Sequence, residues 1–429
     1  MFYVLLLVCI ISRVLTSVYY PEDIDSLRFA LSISEGYDVS KFQPHFPGYP
    51  VFCFIVYLVY ILTGSIAVSF SFIGGLSTFF IIYFTYKIID VDIISTESLF
   101  IFLLLFFNPM IWTLGTRYMP DLMGLSVAVA SVYYIIYSQD NILKYLGYVL
   151  AGILLGVRLS YFPIILVPIL IIFFKSSSKL KVCLYFMLGV LLWLFPFIYT
   201  QGLTDIVSVA SKHSIGHMNE YGGTIITDSN ILLRAKLLLH TVWSDGLGGY
   251  WHDRSLVTVL ISLSVILSLI SIVKNFHIII DSKFKIIILC LLFYLVWIFL
   301  FQNIIYKSRH VLPVVYIVLL MIFLAFKFDK KTIHFLLLVG LISTTLNVIS
   351  AHKNGTSIWN LAKYLEKDSV EVIISNPLVN YYLKTNRVEA DYISVDSLKS
   401  AFSIDFKPNK QVKVIGDYSS LFNSNELDL

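Results

Sequence analysis

The sequence predicts an all-α polytopic membrane protein of about eleven transmembrane helices plus juxtamembrane helices, ending in a small α/β domain. Three observations carry this fold class. Of 429 residues, 58% are hydrophobic and 14% charged, where a soluble domain carries about 25% charged residues. The apolar residues gather into runs near twenty long, the length that crosses a hydrocarbon core as a helix. After residue 351 the pattern turns to short β-prone runs alternating with short helical ones, as in α/β folds.

The predicted spans are 2–18, 66–86, 98–115, 122–138, 145–158, 162–174, 182–200, 256–273, 286–302, 311–326 and 333–350. The first run lacks a basic leader and a small-residue cleavage site, so it reads as a membrane helix rather than a signal peptide. The runs 145–158 and 162–174 are short and read as a broken pair. Val51 to Leu62 is too short to span and reads as a juxtamembrane or re-entrant helix at the interface.

Lys87, Lys144, Lys175, Lys179, Lys181, Lys274, Lys283, Lys285, Lys327, Lys330 and Lys331 fall in alternate connections. By the positive-inside rule these are cytoplasmic. The N-terminus is then cytoplasmic, and the loop 19–65, the loop 201–255 and the tail from 352 lie outside. This gives a 1–351 transmembrane module and a 352–429 extracytoplasmic α/β domain in a multi-pass plasma (inner) membrane protein. In the tail, Val370–Ile374, Tyr392–Val395 and Val412–Ile415 read as strands. Ile358–Lys367, Leu378–Lys384 and Ser397–Phe402 read as helices. No glycine-rich phosphate loop occurs in it. Cys9, Cys53, Cys183 and Cys290 lie in apolar runs without metal-ligand spacing and read as packed thiols. A net charge of +4 points to no nucleic-acid partner.

Lysine outnumbers arginine 23 to 8, yet Arg13, Arg28, Arg117, Arg158, Arg234, Arg254, Arg309 and Arg387 all fall on or near the outer side. The planar guanidinium suits phosphate and carboxylate recognition, so the bias points to an anionic ligand outside. Interfacial snorkelling is the competing explanation.

The first long polar stretch, Tyr19 to Pro50, carries Glu22, Asp23, Asp25, Glu35 and Asp38. Asp25, Arg28, Ser32 and Glu35 recur on one face of a predicted helix, with Ile24, Leu27 and Leu31 on the other. Such a helix would lie apolar side down, holding its carboxylates above the headgroups, where desolvation raises the pKa of a general base. The competing role for Asp25 is an N-cap. His45, in PHFPGYP, reads as a donor to a phosphate oxygen or as a loop histidine among turn residues. GTRYMPD places Arg117 and Asp121 at the outer surface, and YKSRHVLP places Lys307, Arg309 and His310 there. The loop WSDGLGGYWHDR, at 243–254, is either a substrate contact or an interfacial anchor.

Asp25–Leu31 as D-S-x-x-F-A-L, then Gly36–Asp38, then PHFPGYP resembles the first outer loop of the GT-C glycosyltransferases. It is most similar to the bacterial transferases related to protein O-mannosyltransferases and aminoarabinose transferase. Those carry an Asp–Glu or Asp–Ser pair, an aromatic four residues after the Asp, and a HPPGYP-like end. Asp25–Ser26, Phe29 and Pro44–Pro50 occupy these places, with Phe46 where the family has its first proline after the histidine. NPMIWTLGTRYMPD resembles the segment bringing a second acidic residue outward, here Asp121, and SRHVLP the basic motif near the end of the membrane module, here Arg309. The resemblance covers residues 1–330.

It implies transfer of a sugar from a polyprenyl-phosphate donor to a hydroxyl of a glycan, lipid or protein acceptor, inverting at the anomeric carbon. Asp25 is then the base, with Asp121 as the second catalytic carboxylate. Asp23, Arg28, Asp38, His45, Tyr49, Arg117, Lys307, Arg309 and His310 are expected to bind substrate. No cofactor is required; a divalent metal is compatible with the chemistry but not indicated. Two alternatives are a lipid-linked saccharide polymerase or ligase and a non-catalytic lipid or solute transporter. A transporter would place its charges near the bilayer midplane on broken or repeated helices.

Overall fold

The computed structural model describes residues 2–138, 140–176, 178–252, 254–277, 284–304, 307–326, 331–353, 357–368, 370–395 and 411–416. All eleven predicted spans fall on helices, and six helical segments are long and apolar enough to cross a membrane. These are Ile66–Ile89, Ile142–Lys175, Lys179–Gln201, Val257–Lys274, Ser308–Ala325 and Lys331–Leu365. The remaining predicted spans lie on shorter apolar helices, so length and composition alone mark six crossings rather than eleven.

In chain order, α1 (Phe2–Leu15) packs along α4 (Ile66–Ile89). Between them come α2 (Ile24–Ser34) and α3 (Pro50–Thr63). With only 14 residues, α3 is too short to cross a hydrocarbon core alone. The run 98–115 is not one helix. α5 (Thr96–Phe106) stops before α6 (Pro109–Leu114), because Pro109 cannot donate within a continuing helix. Asn108 restarts the chain, accepting the Ile111 N–H at 3.0 Å and donating to the Gly246 carbonyl at 2.8 Å.

α7 (Asp121–Val132) runs into a wide turn at Tyr133–Tyr137. The expected broken pair is α8 (Asn141–Arg158) and α9 (Phe162–Lys175), separated by a tight turn at Leu159–Tyr161. α10 is Lys179–Gln201. The stretch expected as an outer loop at 201–255 contains two helices, α11 (Leu203–Asn219) and α12 (Ile231–His240). Then follow α13 (Val257–Lys274), α14 (Lys285–Phe301), a turn at Ser308–Val311, α15 (Leu312–Ala325), α16 (Lys331–Lys353) and α17 (Ser357–Leu365).

The tail holds β1 (Val372–Ser375), α18 (Pro377–Thr385), β2 (Asp391–Ser394) and β3 (Val412–Val414). The strands pair in parallel in the order β2-β1-β3, with Val372 opposite Asp391 and Val412. β1 is central and buried along its length, as a doubly flanked parallel strand requires. The helix expected at Ser397–Phe402 lies outside the described residues.

A large apolar core joins α4, α5, α7, α14 and α15 through Phe79, Leu104, Leu125, Tyr294, Val315 and Phe323. A smaller one around α2 and α3, with Phe29, Phe52, Phe70, Tyr118 and Val157, floors the polar cluster described below. Helices in such a bundle approach closely where residues are small. A Cβ on Gly74 of α4 would stand 1.9 Å from the Gly115 carbonyl oxygen. Gly74→Ala should therefore lower the thermal midpoint of the purified protein by several degrees, while Gly36→Ala, with open space around its Cβ position but a positive φ of 127°, should cost only the local strain. Equal losses in a melting assay would remove the close helix approach as the cause.

Candidate functional site

The site begins at a helix cap. Asp23 precedes α2 and its Oδ1 accepts the Ser26 N–H at 2.8 Å, so Asp23, not Asp25, is the N-cap. Both carboxylates benefit from the partial positive charge of the helix start. The two faces expected of α2 are only partly kept. Leu27 is buried and Glu35 exposed as expected, but Ile24 is exposed whereas Asp25 (2% exposed) and Ser32 are buried, because α3 and the PHFPGYP loop cover them. Phe29, one turn after Asp25, packs edge-on against His45, Tyr49 and Phe52 with ring centroids at 6.0, 5.1 and 5.6 Å. An aromatic at i+4 lies on the carboxylate's own face, so it draws the loop over Asp25.

Asp25 Oδ2 meets Lys307 Nζ and Arg309 Nη2, each at 2.5 Å. Its Oδ1 is held loosely, with Arg28 Nη1 at 3.5 Å and His45 Nδ1 at 3.7 Å. The Arg309 guanidinium faces three carboxylates: Asp25, Asp23 Oδ2 at 3.3 Å from Nη1, and Asp121 Oδ2 at 3.8 Å from Nε. Arg117 bridges Asp23 Oδ2 (2.8 Å) and Glu22 Oε2 (2.7 Å), and Glu22 Oε1 lies 2.9 Å from His352 Nε2. The turn at Ser308–Val311 supplies Arg309 at the entry to α15.

Asp121 corrects a second expectation. It opens α7 after Pro120, as the sequence suggests, but it is fully buried rather than at the outer surface. Its Oδ1 pairs with Arg158 Nη2 at 2.8 Å and accepts from Tyr161 Oη at 3.4 Å. The break after α8 delivers Arg158 here, and Gly124 makes room, since a Cβ there would stand 2.7 Å from Arg158 Cβ. Arg158 Nη1 also donates to Tyr49 Oη at 3.4 Å, and Tyr49 Oη lies 3.1 Å from His45 Nε2. His310 Nδ1 is 3.5 Å from Arg158 Nη2, while the His310 carbonyl accepts from Tyr294 Oη at 3.1 Å.

Asp23, Asp25, Arg28, His45, Tyr49, Arg117, Asp121, Lys307, Arg309 and His310 thus come together. Asp38 does not. It caps the turn Val39–Lys41, accepting the Ser40 N–H at 2.9 Å and pairing with Lys41 at 3.2 Å. Arg158, Glu22, His352 and His213 were missed as site residues. The signal for Arg158 was a lone cation between two apolar runs, which needs a partner wherever it is buried. The arginine bias divides accordingly: Arg28, Arg117, Arg158 and Arg309 join the cluster, and others do structural work. Arg13 stacks on Trp112 and Phe106 at 3.7 and 4.6 Å. Arg234 donates to the Gly223, Phe299 and Gln302 carbonyls, and Arg254 pairs with Asp245.

The pKa expected for Asp25 is reversed. Burial pushes its carboxyl up, but His45, Lys307 and Arg309 outweigh burial and hold it well below the usual carboxylate range. Burial, opposed by Asp25, pushes His45 down to about 3, so Lys307 and Arg309 carry that effect at neutral pH. His213 of α11 stacks on His45 at 5.7 Å between centroids and is itself pushed down to about 4, chiefly by burial. The cluster sets five cations (Arg28, Arg117, Arg158, Lys307, Arg309) against four carboxylates (Glu22, Asp23, Asp25, Asp121). Its Asp121–Arg158 end is sealed, whereas Arg28, Lys307 and Asp23 are about one-third exposed. Among the described residues, no group of three or more His, Cys, Asp or Glu is placed to hold a metal ion. The arrangement suits an ionised carboxylate beside an anion held by arginine and lysine.

Removing one partner of a buried ion pair leaves an uncompensated charge. Arg158→Met should destabilise the protein by about 3–5 kcal/mol, and adding Asp121→Leu should recover most of that loss. A double variant no more stable than the single one in chemical unfolding would refute the pairing. For pH, the folded state resists protonating His45 and His213, whereas the unfolded chain takes up those protons below about 6.5. Stability should therefore fall as pH drops from 6.5 toward 4, and His45→Gln or His213→Gln should flatten that slope in melting curves. A slope unchanged in both variants would contradict it.

Comparison of the chain with protein-family models, curated proteins and solved structures returns no match, so the site is read from its own geometry.

Proposed function

We propose that the chain is an integral-membrane glycosyltransferase that moves a sugar from a polyprenyl-phosphate donor to an acceptor hydroxyl, with inversion. The observation that carries this reading is Asp25: a buried carboxylate whose Oδ2 touches Lys307 and Arg309, in a cluster with one cation more than its carboxylates. Base and leaving-group site are thereby adjacent. The lipid phosphate binds Arg309 and Lys307 from the side where Lys307 and Arg28 are exposed, with Arg117 within the same network. It competes with Asp25 for those cations, which lifts the Asp25 pKa toward the range of a general base. Asp25 then takes the acceptor's hydroxyl proton. The acceptor oxygen bonds to the anomeric carbon as the carbon–oxygen bond to phosphate breaks, and the lipid phosphate leaves with the electron pair. Asp121, sealed against Arg158, holds the cations in place instead of moving a proton.

An apolar cavity of about 650 Å³ adds support for a lipid-linked donor. Ser32 and Ile33 of α2, Cys53 and Phe54 of α3, and Trp193 and Phe197 of α10 line it. Ser32 stands two turns beyond Asp25 on the buried face of α2, so a prenyl chain lodged there would lead its phosphate to the cluster. The orientation follows from charge. Lys144 lies near the start of α8 and Arg158 at its end, while α9 leaves the site at Phe162 and ends at Lys175. The positive-inside rule then puts the lysine ends in the cytoplasm and the site on the extracytoplasmic face of the plasma membrane.

Asp25→Asn should lower sugar transfer by about 10²–10⁴-fold while leaving donor-lipid binding intact, and Arg309→Ala should raise the donor KM at least about tenfold. Transfer by purified protein in lipid, using polyprenyl-phosphate sugars, measures both. Near-normal turnover by Asp25→Asn would sink the assignment.

A further inference from the structure

Six side chains close a ring in the site: Asp25, Arg309, Asp121, Arg158, Tyr49 and His45. The half through Tyr49 has a direction. Arginine only donates hydrogen bonds, so Tyr49 Oη accepts from Arg158 Nη1 (3.4 Å), and its own O–H is then available to His45 Nε2, 3.1 Å away. A neutral imidazole that accepts at Nε2 carries its proton on Nδ1. His45 Nδ1 is buried, has no hydrogen-bond partner among the described residues, and lies 3.7 Å from Asp25 Oδ1. Catalytic contacts of this length tighten in the Michaelis complex.

We propose that Asp121, Arg158 and Tyr49 are positioning residues that act through His45 on Asp25. They hold His45 in its Nδ1–H tautomer, and that N–H grips Asp25 Oδ1 once Lys307 and Arg309 turn to the lipid phosphate. Asp25 then keeps its rotamer when its two strongest partners leave, with Oδ2 free to take the acceptor proton. Asp121 thus contributes at a distance, as the far anchor of the chain. This rests on the reading of Asp25 as the base.

The test combines spectroscopy with a mutant cycle on the full chain in detergent. With ¹⁵N-imidazole labelling, His45 is assigned by the signals lost in His45→Asn. The expected wild-type pattern is the Nδ1–H tautomer, and Tyr49→Phe should convert it to a mixture. In transfer assays, Tyr49→Phe should slow turnover about tenfold in the wild-type background. In a His45→Asn background the same change should cost less than about twofold, because the asparagine amide supplies a fixed N–H with no tautomer to choose. An Nε2–H tautomer in the wild-type protein, or equal losses in both backgrounds, would overturn the proposal. Absence of sugar transfer by the wild-type chain would instead remove the functional reading, and the tautomer measurement would still decide this one.

Discussion

A carboxylate removed from water must be paired or neutralised, and this site is built around that requirement. Asp25 and Asp121 are 2% and 0% exposed, and isolated burial of either as an anion would cost several kcal/mol. Arg309 faces both and Arg158 seals the second, so the two carboxylates and two guanidiniums form one electrostatic unit. Its members come from α2, α7, the end of α8 and the turn before α15. The unit therefore locks four separate segments together at one end of the bundle. The helix break after α8, the cap at Asp23 and the close approach at Gly124 all serve its geometry.

The same arrangement gives the site its chemical character. Cations shared among carboxylates in a largely buried setting are already oriented, so in the proposed reaction a phosphate would meet donors that need little reorganisation. The partners of Asp25 are unequal, with two close cations on Oδ2 and two distant groups on Oδ1. An anion that draws off the close pair changes the basicity of Asp25 without any movement of the helices. The tail is coupled to this region as well: His352 meets Glu22, the Tyr20 ring packs on Tyr382 at 5.8 Å, and Tyr381 joins the small core beneath α2. The small sheet is thus anchored beside the same first loop that carries the carboxylates.

The mostly helical fold, with helices long and apolar enough to cross a membrane, was legible in composition and apolar run length, because a bilayer core would constrain every lipid-facing residue in the same way. The three tail strands were legible from β-prone runs between turn residues. Ten of the eleven expected site residues meet in space, since scarce charged residues flanking apolar runs have few places to go. Asp38 was misplaced because a turn cap and a site carboxylate look alike in sequence. Length alone could not divide 98–115 at Asn108, where one proline outweighed an unbroken apolar pattern.

The sequence by itself determined which residues were available for chemistry and at which end of the helices they stand. Only the tertiary structure decided their partners. The helical pattern of α2 put Asp25 and Ile24 on opposite faces but could not say which face meets protein, because that depends on a loop and a helix packing later in the chain. Nor could it show that Arg158, 37 residues after Asp121 in the chain, would neutralise it. The sign of the Asp25 shift followed from that. Desolvation can be anticipated from apolar surroundings, but the cations that override it come from residues 307 and 309, and only folding brings them within reach.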